Sequence, residues 1–251
     1  MPALPSPPPP LTCRACREGA GLDFSFTMAF QPIVDITAKS VFAWEALVRG
    51  PNGEGAAHVL GQVNDTNRYQ FDQAARVQAI SFAAQLEMRE PVSINFLPNA
   101  VYRPETCIRV TLEAARELLF PTSQIIFEVN EAEPVGDRAH LKAIFTEYRR
   151  QGFKTAIDDF GAGYAGLSLL ADFEPDLIKL DMDLIRNAHR DKARRAIIAG
   201  AVQTCRALDI GVIAEGIETD EEMQVLSDLG VTLMQGYRFA RSVVGVLPTP
   251  V

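Results

Sequence analysis

Seven short apolar stretches in this chain each run into one or two residues that can ligate a cation or donate to a phosphate. They are Val41-Phe42-Ala43-Trp44-Glu45, Val92-Ser93-Ile94-Asn95, Ile125-Ile126-Phe127-Glu128, Thr155-Ala156-Ile157-Asp158-Asp159, Leu177-Ile178-Lys179, Gly211-Val212-Ile213-Ala214-Glu215 and Val231-Thr232-Leu233-Met234-Gln235. Glu45, Asn95, Glu128, Asp158, Asp159 and Glu215 offer only carboxylate and amide oxygens, the donors that hard divalent ions such as Mg2+ and Mn2+ take. Asp158 and Asp159 are adjacent and cannot point the same way while both keep strand geometry, so one can bridge and the other flank a pair of cations. Two ions about 3.5 to 4 Å apart activate a water and stabilise both oxygens of an in-line displacement at phosphorus, so this donor set suits phosphodiester hydrolysis. Lys179 adds a cation among the carboxylates, where it can orient the attacking water or stabilise charge developing on phosphorus. Taken singly, each acid is as well explained by a helix cap or a solvated loop, and the lysine by an ion pair. Taken together they are one site, because structural needs do not favour metal ligands at successive strand ends. His58, His140 and His189 fall in helices or loops and none ends a strand, which disfavours a histidine-rich zinc or iron hydrolase.

The elements that must position these residues alternate. Phe26 to Ile36 and Ser40 to Val48 read as strands joined by a turn around Thr37-Ala38-Lys39. That turn is too short for a helical crossover, so the first pair is expected to be antiparallel. Tyr69 to Glu87 carries apolar residues at helical spacing, and further helices are expected at Thr111 to Phe120, Arg138 to Gln151, Tyr164 to Asp172, Asp191 to Leu208 and Asp220 to Leu229. The last opens on Thr219-Asp220-Glu221-Glu222, a capping residue with an acidic first turn. Strand and helix then alternate with spacings that, after the first, suit βαβ units of about thirty residues. The expected class is α/β, a modified (β/α)8 TIM-type barrel with an antiparallel first strand pair, because strand ends converge on one face of a barrel. A doubly wound sheet is the alternative, but it has no reason to place a functional residue at every strand end.

The 251 residues match the usual size of such a barrel. Residues 1–24 stand apart: six of the first ten are proline, and Cys13-Arg14-Ala15-Cys16 follows, so this stretch reads as a flexible polyproline-rich tail ahead of a single barrel at 25–251. Cys13 and Cys16 have redox spacing but lack two further neighbours for a zinc site within one chain. Four cysteines give no disulfide framework, and the start lacks a secretory signal, so a cytoplasmic location is expected. No apolar run reaches the roughly 20 residues of a membrane span. A net charge of -8 argues against a DNA or RNA polymer as partner, since phosphate backbones are held by clustered Lys and Arg.

The ordered motifs Phe30-Gln31-Pro32-Ile33-Val34-Asp35, Glu45-Ala46-Leu47-Val48-Arg49-Gly50, Asn95, Glu128, Asp158-Asp159-Phe160-Gly161-Ala162-Gly163-Tyr164, Lys179-Leu180-Asp181, Ala214-Glu215-Gly216-Ile217-Glu218-Thr219 and Gln235-Gly236-Tyr237 resemble those of the EAL-domain cyclic di-GMP phosphodiesterases. The family's name-giving tripeptide stands here as Glu45-Ala46-Leu47, and the similarity covers about residues 26 to 242. What the resemblance implies is a bacterial second-messenger hydrolase with two Mg2+ or Mn2+ ions that opens cyclic di-GMP to linear 5'-phosphoguanylyl-guanosine. It implies that Glu45, Asn95, Glu128 and Asp158 hold one ion and Asp158, Asp159 and Glu215 the other. Lys179 would contact the nucleophilic water, with Glu215 and Asp159 assisting. Gln31, Arg49 and Gln235 would line the substrate pocket, Arg49 donating to a phosphate with its planar fork. Residues 159 to 168 correspond to a mobile loop stabilised by Glu131 and Glu218, and the family usually forms homodimers through barrel helices.

Three departures are local. The family's Asn-x-Ser-Pro is Asn95-Phe96-Leu97-Pro98, its Glu-Leu-Thr-Glu is Glu128-Val129-Asn130-Glu131, and its loop Thr-Gly is Ala162-Gly163. The missing hydroxyls are expected to remove supporting hydrogen bonds around the site. Such variants resemble EAL domains attached to blue-light-sensing flavin modules. A catalytically silent EAL domain that binds the nucleotide or a protein is the alternative function. Inactive members lose metal ligands or the lysine, and this chain keeps them all.

Overall fold

The computed structural model of the chain describes residues 22–131, 138–163 and 167–250. Cys13, Cys16 and nearly all of the expected tail lie outside them. In chain order the elements are β1 (Thr27–Asp35), β2 (Ser40–Arg49), α1 (Ala56–Leu60), α2 (Arg68–Gln85), β3 (Val92–Asn95), α3 (Pro104–Cys107), α4 (Arg109–Glu117), β4 (Ile125–Asn130), α5 (Arg138–Arg150), β5 (Lys154–Phe160), α6 (Leu167–Phe173), β6 (Leu177–Leu180), α7 (Met182–Ile185), α8 (Lys192–Ala207), β7 (Gly211–Ala214), α9 (Asp220–Asp228), β8 (Leu233–Met234) and β9 (Val243–Val244). Strands β2 to β8 pair in parallel in sequence order. β1 closes the ring by running antiparallel to both β2 and β8, and β9 pairs antiparallel with Ala29 and Phe30 of β1. The antiparallel first pair and the barrel read from the sequence are therefore what the chain forms. The capping box is present at Thr219 and Glu222.

Side-chain alternation explains where the chemistry lies. Ile33, Ala43, Ile126, Ala156, Leu177 and Ile213 form a buried apolar cluster, with Leu233 packed on it. Successive side chains of a strand point to opposite faces, so the residue two positions on shares the face. From Ala43, Ile126, Ala156, Leu177, Ile213 and Leu233 that step leads to Glu45, Glu128, Asp158, Lys179, Glu215 and Gln235. β1 runs the other way, so from Ile33 the step goes back to Gln31, which pairs across from Glu45. The polar set is the next layer of the barrel interior, resting on an apolar floor. The larger core lies outside the strands, where Ile80, Ile94, Phe127, Ile144, Phe173, Ile178, Ile198 and Leu226 pack between barrel and helices.

That outer core contains one charged pair. Arg76 of α2 is wholly buried, with Nη2 2.7 Å from Asp72 Oδ2 and Nη1 donating to the Tyr148 hydroxyl at 2.6 Å. Its guanidinium lies over Phe127 and Phe96, 5.0 and 5.3 Å from the ring centroids. Asp72 Oδ1 accepts from the Leu97 N–H at 2.9 Å, so the pair ties α2 to the turn that follows β3. Breaking a buried pair on one side leaves an uncompensated charge, which costs about 3–5 kcal/mol, whereas apolar replacement of both partners can approach neutrality. Arg76→Met is expected to lower unfolding free energy in urea by about that amount. Adding Asp72→Leu is expected to recover about half, the rest being lost through unpartnered Leu97 N–H and Tyr148 hydroxyl groups. A double variant no more stable than the single one would contradict this account.

Candidate metal centre

The polar layer converges on Lys179. Its side chain is buried and its Nζ lies 2.6 Å from Glu215 Oε1, 3.0 Å from Glu128 Oε2, 3.1 Å from Asp158 Oδ1 and 3.4 Å from Glu45 Oε1. Burial alone would lower the ammonium's pKa, but Asp158, Glu128, Glu215 and Glu45 together hold it well above the usual lysine range. The acids feel the converse. Burial pushes Glu128 up to about 8 against the pull of Lys179, with Glu45 and Asp158 adding repulsion. Burial likewise raises Glu215, and burial with repulsion from Asp158 raises Asp159.

The carboxylates form two overlapping triads. Glu45, Glu128 and Asp158 present oxygens within 4.8 Å of one another, and so do Asp158, Asp159 and Glu215, with Asp158 common to both. Fully ionised, the five carboxylates would exceed the one ammonium by four negative charges, which two divalent cations would neutralise. All donors are oxygens, as Mg2+ and Mn2+ require. Asn95 stands at the rim of the first triad, its Nδ2 donating to Glu45 Oε1 at 3.1 Å, an orientation that leaves its oxygen for a cation.

The adjacent acids separate by leaving strand geometry, as their spacing demands. The β5 register with β6 shifts between Ile157 and Phe160, and Asp159 takes φ +53°, the left-handed region that a non-glycine residue seldom adopts. Its own N–H then donates to Asp158 Oδ1 at 2.9 Å. Glu131 Oε2 accepts from the Gly161 N–H at 2.7 Å, so this acid does meet the loop after β5. Glu218 forms an ion pair with Arg186 at 2.9 Å, just after α7. Tyr164, Ala165 and Gly166 of the expected loop lie outside the described residues.

Two cavities flank the cluster. One of about 390 Å³ is lined by Glu45, Leu47, Phe71, Asn95, Asn130 and Asp158. The other, about 260 Å³, is lined by Gln31, Glu45, Asp159, Glu215, Gln235 and Tyr237. Gln31 and Gln235 are thus brought together beside Glu45. Gln235 also donates to Glu45 Oε2 at 2.7 Å, and its own buried Oε1 has no partner among the described residues. Arg49 is turned elsewhere, donating to the Val48 carbonyl and to Ser242 Oγ, both at 2.8 Å. A cavity of about 700 Å³ lined by Val34, Ile36, Met223 and Phe239 shares no residue with the cluster.

Three supporting residues escaped the sequence reading. Ser93 Oγ donates to Glu128 Oε1, Asn130 Nδ2 donates to Asp159 Oδ2, and Asp72 holds Leu97. Ser93 left a signal, a hydroxyl inside an otherwise apolar strand on the same face as Asn95. The expectation that departures from the family pattern cost hydrogen bonds fails at Asn130, whose amide supplies one.

Because metal ligation requires deprotonated carboxylates, a Glu128 that holds its proton to about pH 8 makes protons compete with the ion. Mn2+ affinity measured by calorimetry is therefore expected to rise from about pH 6 to about pH 8 with proton release. Affinity that is flat over that window would contradict the buried, proton-holding carboxyl.

The profile of one protein family, described as "EAL domain", matches residues 19–242. The blue light- and temperature-regulated antirepressor BluF of Escherichia coli K12 is 33% identical over 222 residues, covering 88% of this chain and 55% of BluF. The probable cyclic di-GMP phosphodiesterase PdeG of the same organism is 28% identical over 243 residues, covering 92% of this chain and 46% of PdeG. The chain spans about half the length of these curated relatives. A standalone EAL protein from Vibrio cholerae O395, solved in its c-di-GMP-bound form, superposes with TM-score 0.89 at 52% identity, covering 92% of this chain and 98% of that one. Klebsiella pneumoniae BlrP1, in complex with manganese and cyclic di-GMP, gives TM-score 0.84 at 35% identity over 88% of this chain and 56% of its own.

Proposed function

Because the chain belongs to the EAL-domain family, we propose that it hydrolyses one phosphodiester of cyclic di-GMP, with two Mg2+ or Mn2+ ions, to linear 5'-phosphoguanylyl-guanosine. We place this activity in the cytoplasm, in a homodimer. The observation that carries the reading is the pair of carboxylate triads joined at Asp158 with Lys179 between them. Glu45, Asn95, Glu128 and Asp158 would hold one ion, and Asp158, Asp159 and Glu215 the other. When bound, the ions supply an activated water and offset negative charge on the phosphate.

The chain's own groups do the rest. Lys179 cannot turn to solvent, so its three N–H donors stay aimed into the carboxylate layer, where Nζ orients the attacking water. Glu215, its nearest partner, takes part in setting that water. The water gives up a proton as its oxygen bonds to phosphorus, the ester P–O bond breaks, and the departing sugar oxygen takes up a proton, so that one water is added in all. The two cavities share Glu45 and Leu47 and open on either side of the cluster, which suits a ligand with two bases joined by phosphates. Gln31 and Gln235 meet it on one side. Arg49 reaches a phosphate by exchanging Ser242 for it.

A second reading has one observation behind it, the antirepressor named among the relatives. Under that reading the domain binds nucleotide or protein and does not turn over. Purified chain incubated with cyclic di-GMP and Mg2+ or Mn2+ is expected to yield the linear dinucleotide by chromatography, and chelation with EDTA is expected to stop it. Lys179→Met is expected to lower kcat by about 10²–10³-fold, the usual loss when one preorganised donor is removed. Asp158→Ala, which takes a ligand from both triads, is expected to abolish turnover. Nucleotide binding without product in either metal would favour the silent receptor.

A further inference from the structure

Asn130 belongs to neither triad and its side-chain amide donates to Asp159, and we propose that it is the positioning residue that sets affinity for the ion of the Asp158, Asp159 and Glu215 triad alone. The inference rests on the two-ion reading above.

Asp159 is the least supported ligand of the set. Its backbone leaves the strand at φ +53°, and of the carboxylates in the two triads it alone is not an ion-pair partner of Lys179. A carboxylate on such a bulge can swing to solvent, since Asp159 is only half-buried. Asn130 restrains it: the last residue of β4 pairs in register with Asp158 of β5, and its Nδ2 donates to Asp159 Oδ2. With one carboxylate oxygen anchored, the other is left to face the cation. The backbone on either side is pinned as well, through Glu131 N–H to the Asp158 carbonyl at 2.9 Å and Gly161 N–H to Glu131 Oε2. The amide therefore has a fixed base from which to hold the acid.

The selectivity follows from what holds the other ligands. Glu128 is held by Ser93 and Lys179, and Glu45 by Asn95, Gln235 and Lys179. Asp158 has Lys179 and the Asp159 N–H. None of these bonds involves the Asn130 side chain, so its loss leaves the first triad's geometry in place. Partners that orient a ligand are typically worth 10- to 100-fold in metal affinity.

Calorimetric titration of the purified chain with Mn2+ alone, at fixed pH, tests this. The parent chain is expected to bind two ions. Asn130→Ala and the near-isosteric Asn130→Leu are expected to bind one ion with unchanged affinity and the other 10- to 100-fold more weakly, and Asp159→Asn is expected to weaken the same ion. The unchanged ion reports that the fold is intact. Two ions bound as tightly as in the parent, or both weakened equally, would overturn the positioning role while leaving the two-ion reading standing. A parent chain that binds fewer than two ions would instead overturn the reading on which the role rests.

Discussion

The structure turns on concentrating carboxylates around a single buried ammonium. Two unit charges 4 to 5 Å apart repel by about 3–4 kcal/mol at the effective dielectric typical of protein sites, and several carboxylate pairs lie within that range of one another. Lys179 relieves only part of this, and the upward shifts of Glu128, Glu215 and Asp159 register the remainder. Such a cluster would spread apart on flexible loops. It holds because each member stands at a strand end over an apolar floor and each strand is hydrogen-bonded to two others in a closed ring. Stability from the outer core is drawn on to keep the inner layer strained and ready for cations.

The same constraint explains what the sequence could disclose. An apolar run ending in an acid marks a strand and fixes which face the acid takes, so Glu45, Glu128, Asp158, Lys179 and Glu215 were legible one strand at a time. The short link between Asp35 and Ser40 was equally legible, because no helix fits in it. Partners across strands were not. Whether Ser93 reaches Glu128, or Asn130 reaches Asp159, depends on the register of neighbouring strands, which a stretch of one strand does not encode. The direction of Arg49 was hidden for a related reason. Its partner Ser242 is distant in sequence and is brought near by the strand addition of β9 to β1.

The doubled aspartate shows how one local conflict becomes a functional arrangement. Strand geometry sends adjacent side chains to opposite faces, so Asp159 in a regular β5 would have pointed into the outer core, where an unpaired charge is prohibitively costly. The chain resolves this with a bulge, turning Asp159 back to the inner side at the expense of a left-handed backbone. The bulge also shifts the register between β5 and β6, so that Phe160 rather than Asp159 pairs with Leu180 and remains buried. Phe160 secures the far side of the distortion by packing in the outer core, and the Gly161 N–H secures it again through Glu131. The strain is thus confined to one residue between two anchored neighbours. This is why an amide on the adjacent strand, rather than a further charge, is enough to determine where that carboxylate points.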